Sequence, residues 1–195
     1  MDLAKIMARV QRLLLSPAAE WDVIAGEPAD MRAIYMNYVG PLVIAAALAA
    51  AIGMAIIGIG GIRVGAGYAL TSFVISVVLQ LVMVYVVAFV INALAPQFGA
   101  TQDMGQAFKL AAYSPTASWV AGLLMIIPML GILALLGSLY SLYLLYVGLP
   151  KVMKPAEDKA LIYTLAIIGV MIVLYIVIGA LAASMMPAVT PMMSP

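Results

Sequence analysis

Residues 69–94 read ALTSFVISVVLQLVMVYVVAFVINAL, a run without one charged side chain. As a helix rising ~1.5 Å per residue, roughly 26 residues reach about 39 Å. That exceeds the ~30 Å of hydrocarbon in a bilayer, so this stretch reads as a membrane-crossing helix. Four further apolar stretches flank it: Tyr38 to Gly61, Leu110 to Ile127, Met129 to Leu149 and Ala160 to Met186. With 67% hydrophobic residues and only 9% charged, the rest of the chain is too small for a separate water-soluble core. The expectation is an all-α integral membrane protein, a five-span helical bundle.

Charge sets the predicted orientation. Of the 9 Lys and Arg, alternate gaps place Lys5, Arg9, Arg12, Arg32, Lys109, Lys151, Lys154 and Lys159 on one side and Arg63 alone on the other. Cytoplasmic segments carry the excess of basic residues, which predicts an inner-membrane protein with its N-terminus cytoplasmic and its C-terminus outside. Three regions follow: a cytoplasmic interfacial segment over 1–37, a membrane domain over 38–186 and a short outer tail over 187–195. The basic residues are dispersed, so nucleic acid is not an expected partner. The lipid bilayer is, together with a membrane-protein partner or a second copy of the chain.

The first segment has its own pattern. Leu3, Ile6, Met7, Val10, Leu13 and Leu14 recur at helical spacing, with Lys5, Arg9 and Arg12 at i, i+4 and i+7. This predicts an amphipathic interfacial helix whose basic residues reach anionic headgroups. Ser16 and Pro17 suit the N-cap and first position of a second short helix ending near Gly26 and Pro28. Trp21 in that helix reads as an anchor at headgroup level, so Lys5, Arg9, Arg12 and Trp21 form the expected interfacial set.

Two prolines shape the middle of the chain. Residues 110–149 as one helix would be about 58 Å long, so the chain must turn near Pro128. Pro115 shortens the helical part of the third stretch further. Two readings stay open, a full crossing or a short re-entrant hairpin, because both return the chain to the same side.

The chemistry is defined by what is missing. The chain has 0 His and 0 Cys, which removes the common Ser–His and Cys–His nucleophile systems, the usual zinc ligands and disulfides. No Asp or Glu falls inside a span, so neither an intramembrane carboxylate pair nor an ordinary proton relay is available. The expected protein is not an enzyme and has no cofactor or metal. Gly58, Gly60, Gly61, Gly65 and Gly67 around Arg63 read as a turn, without the Lys and Ser or Thr of a phosphate loop. Met185, Met186, Met192 and Met193 read as apolar filler rather than copper ligands. Polar and aromatic groups inside the spans are the remaining candidates: Gln80, Tyr113, Ser114, Tyr140 and Tyr143 for a groove. Lys151, Lys154 and Lys159 are candidates for docking a partner.

Several motifs together resemble a known family. Pro17, Glu20, Trp21, Ile24 and Glu27 precede Tyr38, Val39, Gly40 and Pro41; Ala112, Tyr113 and Ser114 follow in the third stretch. The fourth supplies residues 140–150, YSLYLLYVGLP, and Lys151, Lys154, Pro155, Lys159, Tyr163 and Thr164 come after it. In this order and spacing the chain resembles the short bacterial form of the Yip family, named for interaction with Ypt and Rab GTPases. The resemblance implies five spans, a cytoplasmic N-terminus and a noncatalytic adaptor or scaffold role; the alternative is a transporter or channel subunit. Eukaryotic members carry a longer hydrophilic N-terminal region, so no Rab-type GTPase contact is carried onto the short segment here.

Overall fold

The computed structural model describes residues 2–58, 62–185 and 192–193. The expected span ends at Gly61 and Met186, and most of the tail over 187–195, lie outside the described residues.

Helices α1 (Leu3–Leu15) and α2 (Pro17–Gly26) form an antiparallel pair. The Asp2 carboxylate caps α1 by accepting from the Lys5 amide at 3.3 Å. Pro17 opens α2 as predicted, where its fixed φ suits the first helical position and its missing N–H costs nothing. Ser16 stands before it, but its side chain makes no capping bond. A four-residue helix α3 (Met31–Ile34) then leads through one π-helical turn, Tyr35–Val39, into α4 (Gly40–Ile56). The cause of the wide turn is local. Pro41 has no N–H for the carbonyl of Asn37, and the Gly40 amide bonds Tyr35 five residues back instead.

Among the described residues, four continuous helices are long and apolar enough to cross a membrane: Met31–Ile56, Ala66–Phe98, Pro128–Val152 and Ala160–Ser184. They contain α4, α5 (Ala66–Leu94), α8 (Gly131–Val152) and α9 (Ala160–Met185). The third predicted stretch is not a continuous helix of that kind. It is divided into α6 (Met104–Tyr113) and α7 (Thr116–Leu123), because Pro115 cannot donate to the carbonyl of Ala111 and its ring disfavours a continuing α-turn.

The turn expected at Pro128 is present. Ile127 is extended, and short 3₁₀ turns over Leu124–Ile126 and Pro128–Leu130 reverse the chain. Antiparallel pairing of α7 with α8 follows from Ser118 meeting Ser141 and Ala121 lying against Gly137. Along α4 the order is parallel: Tyr38 bonds Thr116, Ala46 meets Gly122, and Gly53 lies against the backbone of Met125 and Ile126. The hairpin therefore reaches within one turn of the end of α4.

At the far end, Ile62–Arg63 (β1) pairs antiparallel with Met192–Met193 (β2). The packed core lies toward the opposite, basic end. Leu13, Trp21, Ile24, Val39, Ile91, Phe108, Leu110, Leu149, Tyr163 and Ile167 are fully buried there. Beyond it, α8 and α9 expose Ile132, Leu135, Ile172, Val173, Ile176 and Leu181. Such surface is stable against lipid rather than water.

Candidate functional site: a cavity beside a broken helix

A cavity of about 580 Å³ lies between α4, α5, α7, α8 and α9, at the break between α6 and α7. Volume of this order suits a small organic ligand. Apolar lining comes from Ala46, Ala47, Ala50, Val84, Val87 and Leu145, with Met171 and Tyr175 contributed by α9. The polar part of the wall is interleaved with it on the same helices, Ser76 and Gln80 on α5, Ser114 and Ser118 at the break and Ser138 and Ser141 on α8, and none of the described lining residues is charged.

The polar wall is partly self-satisfied. Trp119 Nε1 donates to Gln80 Oε1 at 3.1 Å, joining α7 to α5. The amide of Ser118, left free by the start of α7, donates to Ser141 Oγ at 3.0 Å, and the Ser118 hydroxyl bonds the same oxygen at 2.9 Å. Ser138 Oγ turns back to the carbonyl of Ala134 at 3.0 Å. Ser114 differs. It is only 6% exposed, and its Oγ has no hydrogen-bond partner among the described residues. Beside it the carbonyl of Ala111 lacks the amide that any residue but Pro115 would have offered it.

The predicted groove divides into parts. Gln80 and Ser114 meet in the cavity, whereas the three tyrosines do not line it. Tyr113 packs in the core at 4.8 Å between ring centroids from Tyr38, edge-on to Trp21 and beneath the Arg9 guanidinium. Tyr140 donates to the carbonyl of Leu14 at 2.8 Å, tying α8 to the end of α1. Tyr143 is exposed, with its ring tilted against Tyr140. Trp119, Ser138 and Ser141, which also line the cavity, are not among the residues expected from sequence. The i, i+4 spacing of Ser114 and Ser118 was the available signal, masked by the proline between them.

The expected interfacial set also stands differently. Trp21 is fully buried, its ring over Gly148, where no Cβ intervenes. Its place in the core follows from the flat bed that a glycine leaves on α8. Arg9 and Arg12 turn inward to the buried Glu20 carboxylate, each at 2.7 Å, and Arg9 also pairs with Glu27. Lys5 remains exposed beside Asp2. A second hollow, of about 600 Å³, lies between α1 and the π-turn, lined by Lys5, Arg9, Arg12, Asn37, Tyr38 and Tyr113 among others. Its cations are already matched by Asp2, Glu20 and Glu27.

Lys109 was expected as a loop cation and is instead buried. Its ammonium donates to the carbonyls of Ile24 at 2.9 Å and of Glu27, the orphan acceptors at the end of α2. Desolvation pulls its pKa below the ordinary lysine value, with Glu27 and Asp103 opposing. Lys151, in the last turn of α8, pairs with Asp22 at 2.8 Å; in the loop that follows, Lys154 is exposed with a left-handed backbone at φ 47° and Lys159 is half-buried. The same loop is pinned by the Ala156 amide, which donates to the carbonyl of Phe98 at 3.1 Å.

Comparison with known proteins addresses the family. A model described as the Yip1 domain matches residues 12–178. The chain belongs to the Yip1 family. Neither the curated proteins nor the solved structures gave a match. The Yip1 match runs from Arg12 to Ile178, so it takes in α2, the basic-end core and the whole cavity wall. It establishes a membrane protein with several apolar helices.

Proposed function

We propose that this Yip1-family protein is a noncatalytic bacterial inner-membrane protein that receives a small ligand in the cavity at the α6–α7 break. The observation that carries the reading is the buried, unpartnered Ser114 hydroxyl beside a proline-interrupted helix. Irregular backbone at membrane depth is stable where it lines a cavity or is enclosed by protein, and broken helices recur at transporter binding sites. The parallel course of α7 beside α4 supports counting the stretch over 110–127 as a crossing, which gives five spans. The bias of the basic residues then favours an N-terminus in the cytoplasm and a C-terminus outside. In this arrangement α1 and α2 cover the cytoplasmic end of the bundle.

Native mass spectrometry of the protein released from mild detergent tests the reading. The expected result is a bound non-protein mass at one per chain, lost when Ala50→Phe fills the cavity. A bare chain mass, together with unchanged solute flux in liposomes between wild type and Ala50→Phe, overturns it.

A second reading, the adaptor, is favoured by a separate observation. The α8–α9 loop is held in place by Ala156 and carries Lys154 outward beside Glu157 and Asp158. Crosslinking in native membranes followed by mass spectrometry checks it. A stoichiometric partner that is lost on joint replacement of Lys151, Lys154 and Lys159 by Gln supports docking; equal recovery removes it.

A further inference from the structure

We infer that the ligand of this cavity is an uncharged lipid bearing a hydroxyl headgroup, held at Ser114 with its hydrocarbon tail along α4, α5 and α9. The inference rests on the ligand-binding reading above. It follows from which chemistries the walls accept and which they refuse.

Charge is refused first. None of the residues lining the cavity is ionisable except the tyrosine of α9, Tyr175. A phosphate or ammonium brought here would lose its water and find no opposite charge, the most unfavourable kind of burial. Of the two hollows, the one with Lys5, Arg9 and Arg12 carries the cations, and it is lined by Tyr38 and Tyr113, which do not line the cavity. A polyhydroxylated, water-soluble ligand is refused next. Its hydroxyls would need partners all round, yet Ala46, Ala47, Ala50, Val84, Val87 and Leu145 offer none.

What remains is an amphiphile with a small neutral head. Ser114 Oγ can both donate and accept, and it has no partner in the protein. Ala111, whose carbonyl is released by Pro115, lines the same cavity. One ligand hydroxyl can accept from Ser114 while donating to the released carbonyl. That pairing satisfies the Ser114 hydroxyl, which the described residues leave unmatched, together with a carbonyl that Pro115 cannot serve. The tail then lies against the Ala-rich face of α4 and Met171 of α9, a helix that is tightly packed at Tyr163, Thr164 and Ile167 and largely exposed beyond them.

The test uses the full chain in nanodiscs of phosphatidylglycerol and phosphatidylethanolamine. The probe is a monoacylglycerol with a diazirine in its acyl chain, compared with a phosphatidylglycerol carrying the same chain. The expected result is saturable labelling by the monoacylglycerol on α5, α7 or α9 peptides, suppressed by unlabelled monoacylglycerol. Ser114→Ala should weaken it roughly tenfold, about 1.4 kcal/mol. The phosphatidylglycerol probe should label the same peptides without saturation. Ser76→Leu, on the cavity wall away from Ser114, should abolish saturable labelling and serves where Ala50→Phe fails to fold.

Equal, non-saturable labelling by both probes would mean that bulk acyl chains fill the space, and the inference falls. A bound mass in native spectrometry that monoacylglycerol does not displace would overturn the lipid class while leaving the ligand-binding reading standing. No bound mass and no saturable labelling would remove both.

Discussion

The two ends of this bundle bury different things. At the basic end, aromatic rings and charges are turned on one another: Trp21 over Gly148, Tyr113 against Tyr38, Glu20 between two arginines and Lys109 under the carbonyls of α2. Toward the far end, α8 and α9 carry apolar side chains that touch little protein, and Gly169 and Gly179 have nothing within 4 Å of where a Cβ would stand. The difference reflects the solvent. Lipid is as apolar as Leu and gives no drive to bury it, so tight association there needs polar bonds or close backbone approach. The basic end supplies both; in the far half close approach at Gly53 and Gly137 joins α4 and the two arms of the α7–α8 hairpin, and the exposed length of α9 is left to lipid, to a partner or to a ligand.

The largest expected effect tests whether the charge cluster holds the N-terminal pair. Glu20→Ala leaves Arg9 buried with only Glu27 and removes the one carboxylate shared by both arginines. Breaking a buried pair on one side costs about 3–5 kcal/mol. Denaturant unfolding in detergent should show a loss of that size, with faster proteolysis in residues 1–30. Arg12→Ala, at a half-exposed side chain, should cost no more than about 1 kcal/mol. Equal effects would mean that Glu20 acts through packing rather than charge.

A sharper comparison uses one substitution at two glycines. In Gly148→Ala the new methyl meets the Trp21 ring, and overpacking of this kind costs about 1–3 kcal/mol. In Gly169→Ala the methyl meets nothing, and relief of glycine's backbone entropy in a helix should stabilise by about 0.5–1 kcal/mol. Thermal unfolding of the two variants should move in opposite directions. Loss of stability in both would show that the far half of α9 is packed against something in the membrane, and would point to a partner on that face.

Lys109 gives the comparison a pH axis. Its folded pKa is depressed, so between that value and the unfolded 10.5 the unfolded chain binds more protons and stability rises with pH. Below the folded pKa the burial penalty is present in full. Lys109→Met should remove this alkaline gain, read as a flatter stability profile approaching pH 10.5. An unchanged slope would assign the wild-type pH dependence to other groups.

Sequence made some of this legible and hid the rest for physical reasons. The helices of α5 and α9 are plain in runs of uncharged residues, and Pro128 had to be a turn because no bilayer holds the combined length. Pro17 and Gly26 marked α2 because their backbone constraints act locally. Trp21, Arg9 and Arg12 were read by their usual membrane roles, and those depend on what stands opposite. Glu20 lies eleven residues from Arg9, and Gly148 more than a hundred from Trp21, so neither partner can be seen in a helical pattern. The cavity was half visible: Gln80 and Ser114 stood out as polar groups in apolar runs. The tyrosines were grouped with them because helical spacing on α8 gives a face without saying which helix covers it.

The smallest expected effect separates the cavity from the core. Thr116 and Ser114 are neighbours across the same helix break and both are buried, yet their hydroxyls differ. Thr116 Oγ1 bonds the Tyr38 hydroxyl at 2.8 Å and donates to the carbonyl of Tyr113 at 2.6 Å. Thr116→Val should therefore leave polar groups unmatched and cost about 1–3 kcal/mol. Ser114→Ala removes a group with no partner, so the ligand-free protein should change by no more than about 0.5 kcal/mol in either direction. Denaturant unfolding after lipid stripping measures both. A large loss in Ser114→Ala would mean that the hydroxyl is structural, and the case for a ligand at the break would then lack its strongest observation. A neutral result, set beside weakened labelling in the same variant, would identify a side chain kept buried and unmatched for a molecule other than the protein itself.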